Sequence, residues 1–169
     1  MIDVRSYVWL IDLDGTMNDD RDRMAAYAGD PGSSESWTEY HDHWLSDPFS
    51  REMLHFANLI PETDWLFFVS LRHSTHWRDT REELQWRLRR LRFGLFLYDG
   101  KKSKEEAWQD DVEQISSMVG RMGRMNTDIR HAGSFLVDDS DWRLSKLRDN
   151  QSFFDVVHMK VALPGREDV

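Results

Sequence analysis

The sequence predicts an α/β fold in which one domain carries a doubly wound, parallel, five-stranded sheet with helices on both faces. Five short runs rich in aromatic and β-branched residues are separated by segments with helical periodicity. The first four runs are almost continuously apolar, which is typical of strands covered on both faces of a parallel sheet. A chain of 169 residues is long enough for one such domain around a single core.

The predicted strands and helices alternate along the chain. The strands cover residues 7–13 (YVWLIDL), 65–71 (WLFFVSL), 93–98 (FGLFLY), 134–139 (SFLVDD) and 153–161 (FFDVVHMKV). Helices are predicted over residues 51–60, 74–91 and 103–119. Ser74 is predicted to cap the second of these helices, and Ser103 with Glu106 forms a capping-box pattern at the start of the third. Ligands of such a sheet bind beyond the carboxyl ends of its strands.

Composition restricts the function. The chain has 22 Lys plus Arg against 31 Asp plus Glu, a net charge of -9, so its surface as a whole repels a phosphate backbone. The absence of Cys excludes disulfides, thiolate metal sites and Cys nucleophiles. Neither a signal-peptide pattern nor a run of roughly 20 apolar residues is present. We therefore expect a cytoplasmic protein with no membrane partner.

Polar residues end the apolar runs at one edge of the predicted sheet. They are Asp12 and Asp14 after the first strand, Ser70 and Arg72 after the second, and Asp138 and Asp139 after the fourth. Asp12 and Asp14 share a face because side chains alternate along a strand, and Gly15 permits a sharp turn there. Two neighbouring carboxylates repel each other unless one holds a proton or a cation lies between them, so the pattern favours a divalent ion with oxygen ligands, and Mg²⁺ in particular with Asp138 and Asp139 nearby. Taken alone, Asp before Gly is also ordinary turn chemistry.

Two pairs of histidines are each compatible with metal binding or with another role. His41 and His43 face different sides of a helix, which favours a surface or lid role over metal binding. His73 and His76 have a spacing that suits a metal, but no third ligand is evident, so we expect them to contact phosphate or substrate.

Four ordered motifs resemble those of the haloacid dehalogenase (HAD) superfamily of phosphotransferases. They are IDLDGT at the end of the first strand, Ser70, a lysine at the start of a helix, and VDD at the end of the fourth strand. The resemblance covers nearly the whole chain and implies a Rossmann-like HAD core with a minimal helical cap at about residues 17–48. The stretches DLDGTMNDDRDR, WTEYHDHWLSDP and KEEAW are most similar to small bacteriophage nucleotidases and to the phosphatase domain of phage polynucleotide kinase. A viral protein of this kind would act in the host cytoplasm.

The resemblance implies a phosphatase that works through an aspartyl-phosphate intermediate. Asp12 would be the nucleophile, and Asp14 would protonate the leaving group and then activate water. Ser70 would donate its hydroxyl to a phosphate oxygen. Leu71 stands where the family often has Gly, so the backbone after Ser70 is less free to wrap the phosphate.

The same resemblance implies a lysine and a metal site. Lys104 is the predicted lysine because KEEAW matches the family's helix start, with Lys102 and then Lys101 as alternatives. The implied Mg²⁺ ligands are Asp12, the backbone carbonyl of Asp14, Asp138 and Asp139, of which Asp139 acts through water or orients the lysine.

Candidate substrate contacts lie in and after the first motif. They are Gly15, Thr16, Asp19, Arg23, Arg72 and Trp44. Residues 17–24 (MNDDRDRM) are expected at the mouth of the site, where an ordinary charged helix start is the alternative. Trp37, Tyr40 and Trp44 are candidates for stacking on a base, whereas Trp9, Trp65 and Trp108 are predicted to be core residues.

Three functions follow in order of support. The first is a Mg²⁺-dependent phosphomonoesterase acting on nucleoside monophosphates, which suits the negative net charge. The second is the same chemistry at the 3′-phosphate of a nucleic-acid end. The third is a non-catalytic interaction protein on a HAD fold, which normally would have lost Asp12 or Asp14.

Overall fold

Five parallel strands form the central sheet of the part of the chain that the computed structural model describes, residues 6–27, 34–89, 92–98, 131–141 and 156–163. The strands are β1 (Ser6–Asp12), β2 (Trp65–His73), β3 (Gly94–Tyr98), β4 (His131–Asp138) and β5 (Val156–Lys160). Their order in the sheet is β3-β2-β1-β4-β5, and each neighbouring pair is parallel. The predicted doubly wound parallel sheet of five strands is confirmed.

The strand order reverses at β1, which places the ligand-binding edge of the sheet. From β1 the chain adds β2 and β3 on one side and then returns to add β4 and β5 on the other. Ile11 of β1 pairs with Val137 of β4, so the next residues, Asp12 and Asp138, end neighbouring strands at the same edge. In a doubly wound sheet this reversal point opens the crevice in which ligands bind.

Two helices and a 3-10 turn follow β1. They are α1 (Arg21–Tyr27), α2 (Ser34–Asp42) and the turn Trp44–Ser46. All three fall within residues 17–48, where a small helical cap is predicted. The predicted helix over residues 103–119, with its capping box, lies outside the described residues. No helix in the described ranges combines the length and the apolar character that crossing a membrane requires.

The next helix, α3 (Arg51–Leu59), follows from its cap and its apolar spacing. The Ser50 hydroxyl accepts a hydrogen bond from the Met53 amide at 3.2 Å, which satisfies a backbone donor in the first turn. Met53 and Ala57 are four residues apart, so they share one face and are both buried. The predicted helix over residues 51–60 is confirmed.

The helix after β2 begins later than predicted. Ser74 starts a 3-10 turn (Ser74–His76), and the α-helix proper, α4, spans Trp77–Arg87. His73 fixes the turn, because its side chain accepts a hydrogen bond from the Thr75 amide at 3.2 Å. The prediction that Ser74 caps the helix is therefore wrong: a short turn intervenes, and His76 occupies the cap position without a side-chain hydrogen bond.

The main core lies between one face of the sheet and helices α3 and α4. Its fully buried members include Ile11, Leu66, Phe68, Val137, Ala57 and Leu84. Each of the Ile, Leu, Val and Phe side chains contributes about 1.5–3 kcal/mol relative to an exposed position. This core fixes the strands whose carboxyl ends carry the polar residues.

The tryptophans predicted to be core residues differ in their surroundings. Trp9 stacks on Phe135 with ring centroids 4.0 Å apart, and its Nε1 donates to Asp64 at 3.0 Å. Trp65 is 43% exposed at the start of β2, so its assignment to the core is wrong. Trp108 lies outside the described residues.

Candidate active site

Three aspartates form an acidic cluster at the carboxyl ends of β1 and β4. One carboxylate oxygen each of Asp12, Asp138 and Asp139 lies within 4.8 Å of the others. Asp12 and Asp138 are buried, and Asp139 is half-buried. The Thr16 hydroxyl donates to Oδ1 of Asp139 at 3.2 Å, and the Ser140 amide donates to Oδ1 of Asp138 at 2.8 Å. These hydrogen bonds hold the two β4 carboxylates in place.

This acidic cluster fits a hard divalent cation. Like charges held this close, and largely out of water, repel one another unless a proton or a cation intervenes. The three side chains offer oxygen atoms alone, which are the ligands that Mg²⁺ and Ca²⁺ prefer. Asp12, Asp138 and Asp139 were all predicted as metal ligands, and the structure brings them together.

A tight turn follows Asp12 and redirects the chain. The amides of Thr16, Met17 and Asn18 converge on the Leu13 carbonyl at 3.3, 2.8 and 3.0 Å. Gly15 has a φ of 84°, a left-handed conformation that costs glycine little. Its amide donates to the Asn18 carbonyl at 3.0 Å. Asp14 lies in this turn, and its carboxylate is not a member of the acidic cluster.

The carboxylate of Asp14 is bound by two arginines. Nη2 of Arg23 lies 2.5 Å and Nη2 of Arg72 lies 2.6 Å from Oδ1 of Asp14, and the Ser70 hydroxyl donates to Oδ2 at 2.8 Å. Burial favours the neutral acid, but Arg72 and Arg23 outweigh it and hold the pKa of Asp14 well below its ordinary value. Asp14 is therefore a carboxylate here. Guanidinium groups supply the positive charge beside the Asp14 side chain in this structure. The part of Asp14 predicted to bind the metal is its backbone carbonyl.

Arg23 lies in the interior between two carboxylates. Besides Asp14, its guanidinium binds Asp47, with Nε 3.0 Å and Nη2 2.7 Å from Oδ2. Its Nη1 donates to the Tyr40 carbonyl at 2.9 Å, and the guanidinium lies 4.0 Å from the centre of the Tyr40 ring. Arg23 is 2% exposed. The expectation that it emerges at the mouth of the site is therefore corrected, because neighbouring carboxylates draw the side chain inward.

Arg72 is fully buried beneath Trp44. The guanidinium lies 4.1 Å from the centre of the Trp44 ring, and Trp44 itself is 2% exposed. Nη1 of Arg72 also donates to the Thr80 hydroxyl, and Nη2 to Oδ1 of Asn18, both at 3.3 Å. Trp44 was predicted to stack on a base. In the structure it packs on an internal cation, which corrects that expectation.

The remaining predicted substrate contacts are dispersed. Asp19 accepts two hydrogen bonds from Nε of Arg21 at 2.8 and 3.0 Å, close to the surface. Thr16 is fully buried and bonded to Asp139 rather than facing a crevice. The side chain of Trp37 lies outside the described part of the chain. The three candidate lysines, Lys101, Lys102 and Lys104, lie outside it as well.

The histidines predicted as candidate site residues are bonded to other protein groups or buried. Nε2 of His76 lies 2.9 Å from Oδ1 of Asp42, which joins the turn after β2 to the end of α2. His73 is engaged with Thr75. His41 is buried, and burial, with added repulsion from Arg23 and Arg72, lowers its pKa to about 3. His41 therefore does not carry the surface role that was one expectation from sequence.

Asp47 and Asn18 are the members of this network that the sequence did not indicate. The Asn18 amide Nδ2 donates to Oδ2 of Asp47 at 2.6 Å, and both residues are buried. Asp47 precedes Pro48 and looks like a turn residue. The one feature of the sequence that pointed to Asp47 was its acidic side chain in the aromatic stretch that leads into α3.

Comparisons with known proteins establish the fold. No protein-family model matches the chain. No curated protein sequence matches it. The HAD domain of the effector protein Lem4 from Legionella pneumophila has a similar structure, with a TM-score of 0.54 and 11% identity over 96% of this chain and 88% of that chain. A chain of the Pnkp1/Rnl/Hen1 complex has a TM-score of 0.48 and 12% identity over 93% of this chain and 47% of that chain. The first of these similarities shows that the chain has a HAD-like fold.

Proposed function

We propose that this protein is a Mg²⁺-dependent phosphomonoester hydrolase that acts through an aspartyl-phosphate intermediate, with nucleoside monophosphates as substrates. One observation carries the proposal. At the carboxyl edge of a HAD-like sheet, the largely buried acidic cluster of Asp12, Asp138 and Asp139 is followed in the chain by a second, largely buried group, Asp14 with Ser70 and Arg72. The first group suits a metal and a nucleophile, and the second suits a proton-transferring carboxylate.

Asp12, Asp138 and Asp139 would hold Mg²⁺. When bound, the ion would supply positive charge that offsets the charge of the transferring phosphoryl group. Thr16 and Ser140 orient two of these carboxylates through the hydrogen bonds described above.

The carboxylates Asp12 and Asp14 divide the chemistry between them. An oxygen of Asp12 attacks phosphorus, the bond from phosphorus to the leaving oxygen breaks, and Asp14 gives that oxygen a proton. Water then attacks the phosphorus of the aspartyl phosphate and passes a proton to Asp14, which releases phosphate and restores Asp12. The ionised Asp14 of this structure is the form that accepts a proton in the second step. The proton that it gives in the first step must therefore reach it beforehand, from solvent or from the bound substrate.

The arginines act on Asp14 by fixing its orientation. Arg23 and Arg72 bind the same oxygen, Oδ1, while Ser70 binds Oδ2, so the carboxylate has little rotational freedom. The proposed lysine, Lys104 with Lys102 as the alternative, would add a further positive charge beside the phosphate.

The net charge of the chain supports the proposed substrate class. With a net charge of -9, the protein as a whole disfavours a long polyanion and tolerates a small nucleotide that is held locally. A nucleic-acid end with a 3′-phosphate is the alternative substrate. The presence of both Asp12 and Asp14 argues against a non-catalytic protein.

Phosphate release from a substrate panel tests the proposal. The panel holds nucleoside 5′- and 3′-monophosphates, sugar phosphates and 3′-phosphorylated oligonucleotides, each with Mg²⁺ and with chelator, and Asp12→Asn protein serves as control. We expect Mg²⁺-dependent phosphate release from the mononucleotides with the wild-type protein and none with the Asp12→Asn protein. Preferential release from oligonucleotide ends would select the alternative substrate. No release from any substrate would overturn the proposed function.

A further inference from the structure

The position of Arg23 depends on a carboxylate other than Asp14. An arginine side chain has several rotatable bonds, so its guanidinium must be held from more than one side to stay at a fixed place. Asp14 binds only Nη2 of Arg23. The side edge of the guanidinium, which is formed by Nε and the same Nη2, faces Asp47 at 3.0 and 2.7 Å.

Asp47 is itself anchored to the turn that carries Asp14. Its Oδ2 accepts a hydrogen bond from Nδ2 of Asn18 at 2.6 Å. The backbone beside it is joined to the same turn, since the Asp19 amide donates to the Pro48 carbonyl and the Ser50 amide donates to the Met17 carbonyl, both at 2.8 Å. Asp47 thus keeps a constant position relative to the residues after Asp12.

We infer that Asp47 is a positioning residue of the proposed reaction, which holds the Arg23 guanidinium against Asp14 and so fixes the carboxylate that transfers the proton. The inference rests on the proposed function. It also gives a function to the helical segment after β1, residues 21–27 and 34–47. This segment supplies Asp47 and the Tyr40 carbonyl, which both bind Arg23, so it acts as a rigid support for an active-site arginine.

A purely structural role for Asp47 makes a different prediction from a positioning role. If Asp47 acts through Arg23, its removal should have no further effect once Arg23 is absent. If Asp47 only stabilises the fold, the losses of the two variants should be independent of each other.

The experiment is a double-mutant cycle with Asp47→Asn, Arg23→Gln and the double variant, read as kcat and KM for a phosphomonoester with Mg²⁺. Asp42→Asn is the matched control, because it neutralises an exposed carboxylate of the same helical segment that binds His76 instead of an arginine. We expect Asp47→Asn to lower kcat on the order of 10- to 100-fold, with KM little changed. The double variant should be no slower than Arg23→Gln, and Asp42→Asn should match the wild type. Additive losses, or full activity of Asp47→Asn, would overturn the inference.

A second readout needs no activity. In the wild-type protein, the Nε–H of Arg23 should give a slowly exchanging resonance in nitrogen-15 NMR spectra, and Asp47→Asn should make it exchange rapidly. The Asp42→Asn control should leave this resonance unchanged. Rapid exchange of the Arg23 Nε–H in the wild-type protein would overturn the inference even if Asp47→Asn failed to fold. Absence of phosphatase activity in wild-type protein with a protected Arg23 Nε–H would instead show that the proposed function is wrong.

Discussion

Arg72 binds Asp14 at 2.6 Å although 58 positions separate the two residues in the chain. Asp14 lies just after β1 and Arg72 lies near the end of β2, so the parallel pairing of these strands brings them together. The two carboxylates of the DLDG motif therefore have different partners. Asp12 belongs to an acidic cluster that suits a metal, whereas Asp14 belongs to a cationic one.

We expect Asp12→Asn to abolish phosphate release while the protein stays folded. An amide has nearly the shape of a carboxylate but cannot accept the phosphoryl group. The free energy of unfolding of the Asp12→Asn protein without metal should not fall, because the substitution removes one of three neighbouring negative charges. Phosphate release and urea unfolding check both points, and turnover by this variant would remove Asp12 as the nucleophile.

Asp14→Asn should have the opposite effect on stability. Its loss leaves Arg23 and Arg72 close together in the interior without the anion that they share. Removing one partner of a buried ion pair costs about 3–5 kcal/mol, and loss of a general acid-base group lowers the rate by roughly 10²- to 10⁴-fold. Urea unfolding and steady-state kinetics measure the two effects. Wild-type stability in this variant would show that the arginines do not depend on Asp14.

Mg²⁺ should raise the melting temperature of the wild-type protein. The ion would bind the folded acidic cluster and not the unfolded chain, so it stabilises the folded state in proportion to the logarithm of its concentration. Asp138→Asn should remove most of this shift because Asp138 is a fully buried member of the cluster. Thermal denaturation over a series of Mg²⁺ concentrations gives the answer. An equal shift in both proteins would place the ion elsewhere.

Truncation of Arg23 should impair all substrates alike. The sequence suggested that Arg23 and Trp44 contact the nucleotide away from the phosphorus, in which case a small aryl phosphate would be unaffected by their loss. The structure instead places Arg23 on Asp14 and packs Trp44 on Arg72. We therefore expect Arg23→Ala and Trp44→Ala to slow hydrolysis of a nucleotide and of an aryl phosphate by similar factors. Selective loss of nucleotide hydrolysis would restore the original substrate-binding hypothesis.

His41 should make the protein less stable in mild acid. Its pKa is about 3 in the folded protein against an ordinary value of 6.5, so between these pH values the unfolded chain binds more protons than the folded one. Stability is then lost as pH falls below about 6.5, by at most about 1.4 kcal/mol per pH unit. Urea unfolding of wild type and His41→Asn from pH 7 to pH 4 isolates this effect, because other groups contribute to both proteins. A difference in stability that stays constant with pH would contradict the prediction.

The sequence by itself determined the sheet and the positions of its polar ends. Apolar runs of strand length alternating with helical segments require a parallel sheet, and the places where those runs meet Asp12, Ser70 and Asp138 are visible in one dimension. Parallel pairing then brings these residues to one edge. The acidic cluster could therefore be predicted from local pattern and the topology of a doubly wound sheet.

Only the tertiary structure decided which charges pair with which. Asp12 and Asp14 look equivalent in the sequence, but a turn through Gly15 sends one to the acidic cluster and the other to Arg23 and Arg72. The pairing of Arg23 with Asp47 joins the short helix α1 to the end of the 3-10 turn, 24 positions along the chain, and no sequence periodicity relates the two residues. Burial supplies the physical reason. Charges removed from water must find partners in three dimensions, and that requirement turned residues expected at the mouth of the site into its internal support.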